Sequence, residues 1–217
     1  MDEESKQERN AERKDHPREL IELNEREVQS LAEVKSDSPY SANPRLNAKV
    51  ELLRGDISAL QVDAIVNAAN ETLLGGGGVD QAIHARAGPE LVAECSRLPA
   101  NRFGERCAVG EALRTEGHGL PAKFVIHTVA PLLDDDGQPQ GHLLAQCYES
   151  CLRHVDGQHG TGFYGFPMVP AAKIALGTVR RWLEAPDVLD RVDRVVFCTF
   201  TDLEMTAYTA LWPHFFP

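Results

Sequence analysis

Four consecutive glycines, Gly75–Gly78, stand within "NAANETLLGGGGVD", residues 67–80. Glycine loses more conformational entropy on folding than any other residue, roughly 0.5–1 kcal/mol against alanine in regular structure. A run of four therefore points to a place where the backbone itself must touch something. The run follows an apolar stretch, "DAIVNAA", and precedes a helical pattern that starts near Val79-Asp80. Free N–H groups in such a loop, with the partial positive charge of a helix start, can wrap a phosphate. A second glycine turn, "GTGFYGFP" at 160–167, also precedes a helix. Two such loops could grip the two halves of a diphosphate. Neither fits a P-loop, which needs Lys-Ser/Thr, or the GxGxxG spacing of dinucleotide folds. Taken singly, the first run could be a flexible connector and the second an ordinary turn. Asp80 reads as a helix-start acid, a position that favours the ionised carboxylate. His84 follows one turn later on the same helix face, as packing or as support for Asp80. His127, inside "VIHTV", reads as a core histidine.

The elements that must position these residues alternate. "KVELLRGD" reads as a strand, and "DAIVNAA", "AKFVIHTVA" and "DRVVFCTF" read as strands buried on both faces. "VDQAIHARAG" and "PELVAECSRL" are short helices split at Gly88-Pro89. "GHLLAQCYESCLRHV" and "PAAKIALGTVRRWLE" are helical, with Pro170 suited to a first turn. A Thr201-x-x-Glu204 capping box opens a last helix, "DLEMTAYTAL". This order predicts an α/β sandwich around a mainly parallel sheet, with ligands at the carboxyl ends of its strands. Residues 1–45 mix both charge signs and hold few apolar side chains. They are expected to be a largely disordered extension with one frayed helix, ahead of a domain at 46–217.

Composition narrows the function. A net charge of −11 argues against a nucleic-acid partner, which needs a basic footprint. Backbone amides can still hold a small anion in an acidic protein. The sequence contains no run of 18 apolar residues to cross a membrane, and the charged N-terminus has no apolar stretch of a signal peptide. Five cysteines without a CxxC pair read as reduced thiols, not a metal site. The expectation is an intracellular protein, cytoplasmic or nuclear, acting as a monomer.

"GDI", "VDAIVNAANETLLGGGGVDQAIHARAG", "LPAKFVIHTVAP", "GTGFYGFP" and the "FCTF…PHFFP" end together resemble the macrodomain family. The nearest likeness is to its MacroD-type ADP-ribosyl-hydrolases, over about residues 46–217. The resemblance implies a three-layer α/β/α sandwich that binds ADP-ribose or O-acetyl-ADP-ribose, without a metal or other cofactor. It implies that Asp56 accepts a hydrogen bond from the adenine amino group, with Ile57 beside it and Phe200 near the base. Ala68, Ala69, Gly75, Gly76, Gly77, Gly78 and Val79 would surround the diphosphate. Gly160, Thr161, Gly162, Phe163, Tyr164 and Gly165 would form the second loop, around the diphosphate and distal ribose. Asn70 and Asp80 match the pair needed for hydrolysis. Asn70 would hold ribose hydroxyls with both ends of its amide, and Asp80 would orient or deprotonate water, or steady the sugar as charge builds.

Three stretches depart from the family pattern. A central strand normally precedes the second glycine loop, yet "CLRHVDGQHGTGFYGFP" offers only Gly-Gln-His-Gly between helix and loop, and Gly160 stands where Ser is usual. The expectation is a sheet lacking one central strand, closed differently, or using "RHV". "NRFGERCAVGEALRTEGHGLP" looks long and irregular, and Ala130 replaces a usual Gly. The expected function is removal of mono-ADP-ribose from acidic side chains of proteins, and deacetylation of O-acetyl-ADP-ribose. The alternatives are a non-catalytic ADP-ribose reader and an impaired variant without the strand.

Overall fold

The computed structural model describes residues 38–134, 136–154, 159–161 and 167–217, with the backbone alone at 159–161. Residues 1–37 of the extension expected to be disordered, with its frayed helix, lie outside the described residues; residues 38–45 are ordered, with Ser38 Oγ donating to His214 O and a helix starting at Pro44. In order the elements are α1 (Pro44–Asn47), β1 (Val50–Arg54), a 3-10 turn (Ile57–Ala59), β2 (Ala64–Ala69), α2 (Gly78–Ala87) and α3 (Pro89–Arg97). Then follow β3 (Ala112–Glu116), β4 (Phe124–Val129), α4 (Gly141–Leu152), β5 (His159–Thr161), α5 (Met168–Leu183), α6 (Val188–Arg191), β6 (Val195–Thr199) and α7 (Asp202–Phe215). The six strands lie in the order β1-β6-β5-β2-β4-β3. All neighbours are parallel except β3 with β4.

Strand alternation splits the core into two layers. In β2, Ile65 faces the cluster of α2 and α3, with Ile83, Leu91 and Cys95, while Ala64 and Val66 face the opposite side. On that side α4, α5 and α7 pack Leu144, Leu176, Leu183 and Leu211 around Phe197 of β6. The capping box predicted at Thr201 is present, and its Glu204 accepts from the Phe200 and Thr201 amides at 2.8 Å. The last helix runs past the predicted end to Phe215, with Pro213 inside it.

Two departures from expectation concern the sheet. The central position is filled: β5, only three residues long, lies parallel between β2 and β6. Gly160 and Thr161 therefore lie in this strand, not in a loop. Both flanking strands supply its ladder, so a short, glycine-containing segment with little apolar signal can complete the sheet. Its pairing with β2 stops at Ile65, and Ala68 and Ala69 run on toward the strand's carboxyl end. The irregular connection before β4 contains β3, an edge strand whose half-exposed pattern hides it from an apolar scan.

Candidate functional site

The carboxyl end of β2 and the start of α2 enclose a cleft of about 990 Å³. That is the size of a small-ligand site. Its walls include Ala68, Ala69, Asn70, Gly75, Gly76, Gly77 and Asp80, together with Gln81, His84, Ala130 and Leu132. The loop between β2 and α2 is pinned from below. Leu73 is fully buried with a left-handed φ of 57°, a conformation that costs a non-glycine residue about 1 kcal/mol or more. Arg106 Nη1 donates to Thr72 O at 3.0 Å, and the Arg106 and Cys107 amides donate to Glu71 O at 2.7 and 3.2 Å. Gly75 and Gly78 take φ values of 93° and 63°, so at these two positions conformation favours glycine.

Gly76 is required by space. A Cβ built there would lie 2.9 Å from Asp80 Oδ2 and 3.1 Å from Asn70 Nδ2. The same contacts show that Asn70 and Asp80 converge on one bare stretch of backbone. Both ends of the Asn70 amide already serve the loop. Nδ2 donates to Gly75 O at 3.0 Å, and Oδ1 accepts from the Thr72 amide and hydroxyl at 3.0 and 2.6 Å. Asn70 thus shapes the loop, and only the second hydrogen on Nδ2 is left over from these bonds.

Asp80 is buried, with 2% of its surface exposed. Its Oδ1 accepts from Asn67 Nδ2 at 2.7 Å and lies 3.4 Å from His84 Nε2. Oδ2 is buried without a hydrogen-bond partner among the described residues. Burial pushes the Asp80 carboxyl above its ordinary value, opposed by the Asn67 bond and by His84. This corrects the expectation that the helix start favours ionisation: desolvation outweighs the stabilising groups. His84 sits against Asp80 as the helix spacing predicts.

His127 is a core histidine, as expected, but it is tied to the site. The β2–β4 register sets it beside Asn67, on the face covered by α2 and α3. Asn67 Nδ2 lies 3.0 Å from His127 Nδ1, and His127 Nε2 lies 2.9 Å from Thr115 Oγ1. Sequence reasoning did not place Asn67 in the site. The signal available was a polar residue in the inward register of an apolar strand, which must find a partner there.

The remaining predicted residues are dispersed. Asp56 caps the 3-10 turn, accepting from the Ser58 amide and hydroxyl, and its Oδ2 accepts from Arg86 Nη2 at 3.1 Å. Ile57 is buried in the α2–α3 layer, and Phe200 is 65% exposed at the end of β6. None of the three is part of the cleft wall described above. Gly162, Phe163, Tyr164 and Gly165 lie outside the described residues.

The Macro domain family profile matches residues 66–175. The chain is 46% identical over 188 residues to "ADP-ribose glycohydrolase MACROD2" of Mus musculus, covering 79% of this chain and 37% of that protein. It thus spans less than half of that relative's length. It is 44% identical over 159 residues to "O-acetyl-ADP-ribose deacetylase 1" of Pantoea vagans, covering 69% of this chain and 91% of that one. A Trypanosoma brucei macrodomain solved in complex with ADP-ribose shares the fold with a TM-score of 0.66 and 38% identity, over 79% of this chain and 72% of that one. The cleft at the end of β2, the buried Asp80 and the sheet around them occur in a chain that belongs to the macrodomain family.

Proposed function

We propose that the protein binds ADP-ribose in this cleft and hydrolyses its bond to protein carboxylates, and that it also deacetylates O-acetyl-ADP-ribose. The observation that carries the proposal is the unpartnered Asp80 Oδ2, buried beside Gly76 and Asn70. A buried carboxylate oxygen without a donor costs free energy unless a ligand or water supplies one. Hydrolysis supplies that water. Its oxygen bonds to the anomeric carbon, the bond to the protein carboxylate breaks with its electrons, and Asp80 takes the water proton. A carboxyl raised by burial is a stronger base than an ordinary aspartate. No step calls for a metal.

The residues are assigned accordingly. Ala68, Ala69 and Gly75–Val79 hold the diphosphate, and the family resemblance assigns Gly160–Gly165 to the same ligand. Asp56, Ile57 and Phe200 hold the base. The names and bound ligand of the relatives support this reading. The protein acts as an intracellular monomer on mono-ADP-ribosylated proteins.

Calorimetry with ADP-ribose, followed by release of ADP-ribose from a glutamate-modified protein, tests the proposal. Binding with release is the expected result. Binding without release selects a reader module, and absence of both removes the proposal. Gly76→Ala sharpens the test. The backbone accepts alanine there, yet the new Cβ would press on both Asp80 and Asn70. Turnover should fall by about 10²-fold, as for a misplaced catalytic group, and the melting temperature should drop as well, because the buried Asp80 and Asn70 must shift.

A further inference from the structure

We propose that His127 is a positioning residue. Through one fixed tautomer it orients the Asn67 amide so that an N–H, and not the carbonyl oxygen, faces Asp80. The role assigned to Asp80 rests on the function proposed above; the orientation of the amide does not.

The hydrogen-bond chain has a direction. Asn67 Nδ2 carries two hydrogens, one for Asp80 Oδ1 at 2.7 Å and one for His127 Nδ1 at 3.0 Å. An amide nitrogen only donates, so Nδ1 must accept, which leaves the ring proton on Nε2. There it meets Thr115 Oγ1 at 2.9 Å, with Cys95 Sγ at 3.9 Å. A doubly protonated ring could not accept from Asn67. Burial, and then His84, push His127 down to about 3, so the ring is neutral throughout the physiological range. Turning the amide over would set its oxygen against the Asp80 carboxylate and, with the ring proton on Nε2, would lose the bond to Nδ1.

The position of Asn67 Oδ1 supports the same conclusion. It is buried without a partner among the described residues. Turned over, the amide would put both N–H groups in this partnerless place, and leaving two buried donors unpaired costs more than leaving one acceptor. The arrangement therefore favours two donated bonds, one of them to a charge. Asn67, His127 and Thr115 stand on β2, β4 and β3, so rigid strands hold every link. His127 is fully buried and no part of the cleft wall described above; it acts on the site only through Asn67, which in turn acts through Asp80.

The groups that face Asp80 are Asn67 from β2, His84 from α2 and Cys95 from α3, with His127 behind Asn67. The Cys95 thiol is pushed up to about 11, chiefly by burial, and stays neutral. Asn67 and His84 therefore supply the stabilisation that counters desolvation of Asp80, and the His127 tautomer governs the first of them.

The test compares His127→Leu with His127→Asn, whose Oδ1 can stand where Nδ1 stood and accept from Asn67. In His127→Leu, kcat should fall at least roughly tenfold, the scale of one hydrogen bond to a charged group. The acid limb of its pH profile should move to higher pH, and ADP-ribose affinity should stay within about twofold of wild type. His127→Asn should restore much of both. Equal impairment of the two variants, an unmoved acid limb, or a fall in affinity matching that in kcat would overturn the proposal. Nitrogen NMR of the wild-type ring should show Nε2 protonated and Nδ1 bare; the opposite tautomer also overturns it. A carbon-detected titration of the Asp80 carboxyl needs no turnover. It should show a higher midpoint in His127→Leu even if the protein releases no ADP-ribose, and an unchanged midpoint counts against the role of His127 alone. If His127→Leu does not fold, Thr115→Val removes the acceptor for Nε2–H and should move the same midpoint in the same direction.

Discussion

Asp80→Asn is expected to lose turnover by about 10²–10⁴-fold, the usual range for a general base, while keeping most of its affinity for ADP-ribose. It should also be more stable than wild type at neutral pH. Asp80 is buried, and burial raises its carboxyl above the ordinary value. Between the unfolded value and the raised folded value, the folded state binds more protons than the unfolded state. Stability then falls as pH rises through that window and stays lower above it. Asparagine keeps the shape and an oxygen for Asn67 Nδ2 but never carries the charge, so this fall should be absent. The gap between variant and wild type in denaturant melts should be open at neutral pH and close on acidification. Unchanged turnover in Asp80→Asn would remove Asp80 from the mechanism. A gap of opposite sign would show that Asn67 and His84 outweigh desolvation.

The buried setting of Asp80 is only half legible in the sequence. The glycine run, the acid after it and the histidine one turn later are local facts, and they converge as expected. The helix start favours ionisation of Asp80 and burial opposes it more strongly; how far a side chain is buried is a property of tertiary packing that helix position does not encode. Asn67 and His127 sit in apolar runs where periodicity registers only that they point inward. Their mutual contact comes from strand register, which an apolar pattern does not encode. The same limit explains the strands. β2, β4 and β6 are continuous apolar runs buried on both faces, and all three are where the pattern puts them. β3 exposes much of one face at the edge, and β5 borrows its pairing from neighbours. Neither leaves an apolar signature.

Arg180→Ala is expected to cost about 3–4 kcal/mol of folding stability, the sum of two lost charge-assisted bonds, one to the buried Phe215 carbonyl and one to the partly buried Ser41 carbonyl. Arg180, in α5, is 1% exposed. Nη1 donates to Phe215 O at 3.0 Å, Nη2 to Ser41 O at 2.9 Å and Nε to Glu184 Oε1 at 2.9 Å. The same group lies 5.0 Å from the centre of the Tyr40 ring. One side chain thus ties the end of α7 to the segment that precedes α1. The folded unit already includes Ser38, whose hydroxyl donates to His214 O at 2.6 Å. Lysine cannot replace the planar fork, so Arg180→Lys should lose at least half as much as Arg180→Ala. Glu184→Gln should change little, because that end of the pair reaches solvent. Denaturant melts of the three variants would give this ranking, and hydrogen exchange would localise the loss to residues around Ser41 and the end of α7. Affinity for ADP-ribose should be unchanged well below the melting temperature, since Arg180 is remote from the cleft walls. Equal stability of wild type and Arg180→Ala would mean that the segment before α1 adds nothing to the domain.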